Sequence, residues 1–310
     1  MRLPGLVRPF ADGAVERPGD LFLEPTPCRH VEMSHELIGA AALEVRPGRA
    51  LVVGAGACHE IPLAQLARRF DTVALQDQDG DELADAVASL GDAEVKATVM
   101  TELRDLTGIT AALVAGAEQA LPAAGSAEHA ITALIELVDR ASFAVAPPAP
   151  VWDLVVASCV GSQLHIRALQ EMTRRYRERF ADQAALLEQS AAWADAMLRL
   201  SWRLQDAFID HLLGLVAPDG RLYLADTVQV GMLYLRLTGG WRTPGWYRMT
   251  RERILAAMLP AAARPLHGGQ WPYVVAPPSF DAAGLVYNVH AVILRGRDQP
   301  PTASSPAPDR

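Results

Sequence analysis

Residues 49 to 83 hold the feature that most restricts the fold. An apolar run, Arg49-Ala-Leu-Val-Val, ends at Gly54-Ala-Gly56, and the chain passes through Ala-Cys-His-Glu60-Ile-Pro-Leu into a helical pattern. A second apolar run, Thr72-Val-Ala-Leu-Gln, then ends in Asp77, 23 positions after Gly54. Strand, glycine turn, helix and a second strand closing on an acid form the opening unit of a parallel sheet. In such a unit the glycines let the backbone come close to a ligand, and the strand-end carboxylate accepts hydrogen bonds from ribose hydroxyls. Gly54, Gly56 and Asp77 are therefore candidates for holding a nucleoside.

The remainder of the chain repeats the strand and helix patterns. Met33 to Leu43 reads as a helix before the Pro47-Gly48 turn, Glu60 to Phe70 as a helix with Ile61, Leu63, Leu66 and Ala67 on one side, and Asp81 to Leu90 as another. Strands are expected at Val73–Leu75, Val95–Met100, Val151–Ser158, Arg221–Ala225 and Leu285–Leu294. Residues 109 to 141 and 162 to 215 are helical in pattern, Pro218-Asp219-Gly220 reads as a turn, and Thr250 to Leu259 as a late helix. The fold class that follows is α/β: a doubly wound, mostly parallel sheet with helices on both faces, helical insertions and an N-terminal arm. The expected division is an arm and helix over 1–47, a main domain over 48–296 and a disordered tail over 297–310. Within the main domain, insertions are expected at about 107–150 and 163–212, and an aromatic cap at about 227–260. Gly54 and Gly56, Asp77, Glu102 and Ser158 all fall at predicted carboxyl ends of strands, where such sheets bind ligands.

Bulk properties weigh against several partners. Of the 310 residues half are hydrophobic, and the formal net charge is −8, which argues against nucleic acid. The one compact basic run, Arg174-Arg175-Tyr176-Arg177-Glu178-Arg179, reads as a solvated helix face. No stretch is long and apolar enough to span a membrane, and the N-terminus lacks a secretory pattern. Cys28, Cys58 and Cys159 have no metal-ligand spacing and fit reduced thiols, so the expectation is a cytoplasmic protein without a bound metal.

A dinucleotide site wants a small residue three positions after the second glycine, to seat a diphosphate on the helix N-terminus. Here that position is His59, beside Glu60, whose carboxylate would repel a diphosphate; the loop suits a ligand without phosphates. At this point the chain resembles class I S-adenosylmethionine-dependent methyltransferases. Val52-Val-Gly54-Ala55-Gly56-Ala-Cys58 looks like their glycine loop, and Leu75-Gln-Asp77-Gln78-Asp79 is similar to the motif whose acid holds the ribose. Glu102-Leu103-Arg-Asp105 resembles the segment that contacts adenine, with Glu102 and Asp105 both open as the acid on that side. Trp152-Asp153-Leu-Val-Val-Ala-Ser158 looks like the fourth-strand motif beside the transferring methyl, and Leu213 to Asp226 fits the fifth strand with its turn. The resemblance covers roughly residues 48 to 226. It departs at Val52, where the family has an acid, and at Cys58, where it has a third glycine.

The resemblance implies S-adenosyl-L-methionine as cofactor, held by Gly54, Ala55, Gly56, Asp77, Gln78, Glu102, Leu103 and Ser158. It implies methyl transfer to an O, N or C nucleophile on a small-molecule acceptor, with oligomer formation possible. His165, just beyond the fourth strand, is the candidate general base for a hydroxyl acceptor; otherwise it is a first-turn helix residue. Trp246 and Tyr247 could face the substrate or pack in a core. The competing readings are a non-catalytic S-adenosylmethionine-binding subunit, a protein or peptide methyltransferase, and a nicotinamide-dependent oxidoreductase, against which His59-Glu60 argues.

Overall fold

Strand β4 (Trp152–Ser158) is buried along its whole length, and β1 (Arg49–Val53) at every residue after Arg49. Strands covered on both faces lie inside a doubly wound sheet rather than on its surface. A computed structural model of the chain bears this out and describes residues 28–145, 151–235, 241–242, 246–248, 265–276 and 283–296. Helix α1 (Cys28–Leu43) leads into β1, which is followed by α2 (Leu63–Arg69) and β2 (Thr72–Asp77). After them come α3 (Gly80–Ala88), α4 (Ala93–Ala97), β3 (Val99–Leu103), α5 (Thr110–Ala123) and α6 (Ala127–Arg140). Beyond β4 lie α7 (Ile166–Arg179), α8 (Ala184–Gln189), α9 (Ala191–Leu215) and β5 (Val216–Leu235). The short strands β6 (Trp241–Arg242) and β7 (Trp246–Arg248), then β8 (Pro265–Ala276) and β9 (Gly284–Arg295), complete the described chain.

The strand order is β3-β2-β1-β4-β5-β9-β8. Strands β1 to β5 pair in parallel, Val52 lying opposite Leu75 on one side and Val156 on the other. Strand β9 enters antiparallel between β5 and β8. The chain steps outward from β1 through β2 to β3, then returns to lay β4 on β1's other side. That reversal opens a crevice above the carboxyl ends of β1 and β4.

Alternating side chains sort into two cores. Leu51, Val53, Val155, Ala157, Leu222 and Leu224 pack with Leu113, Leu134, Met172, Leu204 and Phe208 from the helices between β3 and β5. Ala50, Val52, Val73, Leu75, Leu154, Val156 and Tyr223 pack with Ile38, Leu66 and Leu83 on the opposite face. The segments expected as insertions thus form one helical layer of the sheet itself. Helix α1 likewise belongs to the other layer, and it begins five residues before the expected Met33. Among the described residues no helix is long and apolar enough to cross a membrane.

Three other elements differ from the sequence expectation. The third strand is displaced: Asp92 accepts the amides of Glu94 and Val95 and so starts α4, leaving β3 to begin at Val99. Strand β8 has no counterpart in the sequence reading; Pro272 lies within it, and β8 occupies the sheet edge, where a missing donor is tolerated. Strand β5 continues through Gln229–Gly231, paired with β7, into the stretch expected as an aromatic cap. The expected turn at Pro218–Gly220 survives as a shift in pairing, Trp152 facing Val216 and Leu154 facing Arg221. The arm before residue 28, the helix expected at Thr250–Leu259 and the tail from 297 lie outside the described residues.

Candidate functional site

The loop after β1 is built on backbone conformations that favour glycine. Gly54 has φ +67° and Gly56 φ +48°, and the amides of Gly54 and Ala55 both donate to the Gln76 carbonyl at 2.8 and 3.1 Å. A Cβ on Gly54 would sit 2.4 Å from Val160 Cγ2, so the loop packs directly on the segment after β4. A Cβ on Gly56 would meet nothing within 4 Å, because that face is open. Cys58 takes φ +57°, the left-handed region in which a glycine is unstrained. The position at which the sequence resemblance expects a third glycine therefore has a glycine-like backbone with a different side chain.

Asp77 ends β2 directly beside this loop. Its Oδ2 accepts the Gly56 amide at 2.9 Å and its Oδ1 the Asp79 amide at 3.0 Å. Asp79, not Asp77, caps α3, accepting from Asp81 and Glu82. Asp77 is thus left beside the loop with acceptor capacity to spare.

Gly54, Ala55, Gly56, Asp77, Gln78 and Ser158 line a single cavity of about 370 Å³ at the carboxyl ends of β1, β2 and β4. Ala57 to Glu60, Asp105 to Thr107, Cys159, Val160, Gln163, Leu164 and Tyr273 complete its wall. Ser158 is buried, and its Oγ makes no hydrogen bond of normal geometry among the described residues. Three carboxylates, Glu60, Asp77 and Asp105, stand on this wall, and none of its described residues is a lysine or arginine.

Glu102 and Leu103 do not reach the cavity. Both lie within β3, where Glu102 accepts from Gln76 Nε2 at 2.6 Å and Leu103 is exposed. The displacement of that strand brings Asp105 to the wall instead. The Asp105 carboxylate accepts the Thr107 amide and hydroxyl and the Thr110 amide at 2.8 to 3.0 Å, so it also holds the start of α5.

His165 sits at the N-terminus of α7, off the cavity wall that Gln163 and Leu164 line. The Ser162 amide donates to the buried Asp226, which anchors the turn before α7. Burial pushes the His165 imidazole down to about 4, so it is neutral near pH 7, and its Nδ1 has no partner among the described residues. Trp246 and Tyr247 lie in β7 opposite Gly231 and Val230; their side chains are outside the described residues.

Neither cysteine on the wall is activated as a thiolate: burial, reinforced by Asp77 and Glu60, pushes the Cys58 thiol up to about 12, and burial raises the Cys159 thiol as well.

The sequence reading missed the group behind Glu60. His30, on α1 and 2 % exposed, places Nε2 2.5 Å from Glu60 Oε2, while Trp271 Nε1 donates to His30 Nδ1 at 2.8 Å. Tyr273 stacks on the His30 ring at 4.2 Å between centroids. These contacts span 30 and 241 residues of chain, beyond any local pattern. The one available signal was Glu60 itself, an acid in a loop where a phosphate binder would not tolerate it.

No protein-family model matches the chain, and no curated protein matches it. Solved structures do align. YcgJ from Bacillus subtilis is 12% identical over 86% of this chain and all of its own, with a TM-score of 0.40. The N-methyltransferase NodS from Bradyrhizobium japonicum, complexed with S-adenosyl-L-homocysteine, is 11% identical over 86% of this chain and 87% of its own, with a TM-score of 0.39. TehB from Haemophilus influenzae is 10% identical over 85% of this chain and 62% of its own, with a TM-score of 0.40. At such scores the likeness adds nothing to what the strand order and register already establish.

Proposed function

We propose that the chain is an S-adenosylmethionine-dependent methyltransferase acting on a small-molecule nucleophile. The observation that carries this reading is the joining of the glycine loop and Asp77, through the Gly56 amide, on a cavity walled by three carboxylates and, among its described residues, no lysine or arginine. Such a wall repels a diphosphate and favours a nucleoside bearing positive charge. Asp77 offers lone pairs for a ribose diol, and the bare face of Gly56 leaves room for the ligand.

Bound there, S-adenosylmethionine would supply a methyl carbon activated by its sulfonium. The chain's own part is alignment and exclusion of water. Gly54, Gly56 and Asp77 hold the nucleoside, Gln78 and Asp105 to Thr107 flank the base, and Ser158 to Leu164 border the acceptor side. With a nucleophilic acceptor no strong base is required, which agrees with the position of His165 off the wall. Isothermal titration calorimetry tests the reading: S-adenosylhomocysteine should bind and NAD should not. Absence of heat with S-adenosylhomocysteine, or tighter binding of NAD, would reject it.

A further inference from the structure

Resting on that reading, we propose that Glu60, held by His30, is an ammonium-binding carboxylate on the cavity wall. The N–H of the Trp271 indole can only donate. Its contact with His30 Nδ1 makes that nitrogen the acceptor, which puts the imidazole proton on Nε2, facing Glu60 Oε2 at 2.5 Å. A second ring proton would meet the Trp271 N–H head-on. In this tautomer the imidazole donates to Glu60 and brings no positive charge of its own to the cavity.

The same geometry decides against a metal. The ligand atoms of His30, Glu60 and Cys159 lie within 4.8 Å of one another. The imidazole nitrogen that faces this group carries its proton, however, and has no lone pair to give.

Glu60 is a side chain partly open to the cavity, with Oε2 occupied by a buried donor and no hydrogen bond to Oε1 among the described residues. No cation of the wall neutralises it among the described residues. A sulfonium has no hydrogen to donate; an ammonium offers three donors and a compact charge. Tyr273, stacked on the His30 ring, helps to fix His30 and so the carboxylate's direction. Asp77 serves hydroxyls at one end of the glycine loop and Glu60 an ammonium at the other.

Two sources could bring this group: the amino-acid part of the cofactor, or an amine-bearing acceptor. Calorimetry on the full chain with three probes separates them: S-adenosylhomocysteine, 5′-methylthioadenosine, which lacks the amino acid, and phenethylamine. Glu60→Gln should weaken S-adenosylhomocysteine tenfold or more and leave 5′-methylthioadenosine within twofold, which assigns the ammonium to the cofactor. Loss of phenethylamine alone assigns it to the acceptor. Unchanged affinity for all three, or equal loss of the two nucleosides, overturns the proposal. A wild-type chain that binds phenethylamine but neither nucleoside removes the cofactor reading and leaves the ammonium site to the amine arm; one that binds none of the three removes both. Should Glu60→Gln not fold, His30→Phe, which keeps the ring stack and removes the donor, must lower the preference for S-adenosylhomocysteine over 5′-methylthioadenosine.

Discussion

Asp77 and Gly56 are joined by a 2.9 Å hydrogen bond from the Gly56 amide to Oδ2, so the acid that would hold the ribose also fixes the loop that would hold the rest of the ligand. Asp77→Ala loses both functions at once. We expect it to weaken S-adenosylhomocysteine by about 1 to 3 kcal/mol, from loss of charge-assisted hydrogen bonds. Calorimetry measures this directly, and an unchanged dissociation constant would detach Asp77 from the ligand.

Gly54→Ala tests the packing of the loop on the segment after β4. The left-handed backbone at φ +67° costs a non-glycine residue about 1 to 2 kcal/mol. The 2.4 Å approach to Val160 adds overpacking of about 1 to 3 kcal/mol. Urea unfolding should show a clear loss of stability, and a variant as stable as the parent would mean that the loop does not adopt this conformation.

His165 makes stability depend on pH. Its pKa falls from 6.5 in the unfolded chain to about 4 in the folded one, so the folded state resists a proton that the unfolded state accepts. Stability should be fully present above about pH 6.5 and decline as pH falls towards 4, by up to about 3 kcal/mol. His165→Gln should flatten this part of the profile while leaving S-adenosylhomocysteine affinity unchanged. An equally steep profile in the variant would place the titration elsewhere.

Asp153 acts at the other end of β4. It is buried, accepts from Arg46 Nε at 2.5 Å and from the Arg49 amide at 2.8 Å, and thereby secures the turn into β1. Asp153→Ala should cost about 1 to 3 kcal/mol by leaving the Arg49 amide without its acceptor. Melting temperature and denaturant midpoint should both fall, with ligand affinity in the surviving folded protein kept within twofold. A large change in affinity would show that the two ends of the strand are coupled.

Much of the sheet could be read locally. The apolar runs at 49–53, 73–75 and 151–158 could only be buried strands, and the glycines and Asp77 fell at their ends because crossover loops emerge there. Where the reading slipped, a local competitor or a distant partner decided. Asp92 converted the start of an expected strand into a helical turn, which moved Asp105 to the wall and kept Glu102 within β3. Strand β8 carries a proline that argues against a central strand and is permitted by the edge that only the topology reveals.

The amino-acid order by itself settled the central strands at 49–53, 73–75 and 151–158 and where the loops after them emerge, because periodicity and glycine chemistry are properties of neighbouring residues. Only the tertiary structure could set His30 against Glu60 and Trp271 against His30. Hydrogen bonds between residues 30 and 241 positions apart depend on how helix α1 and edge strand β8 meet over the same crevice, and no local pattern encodes that meeting.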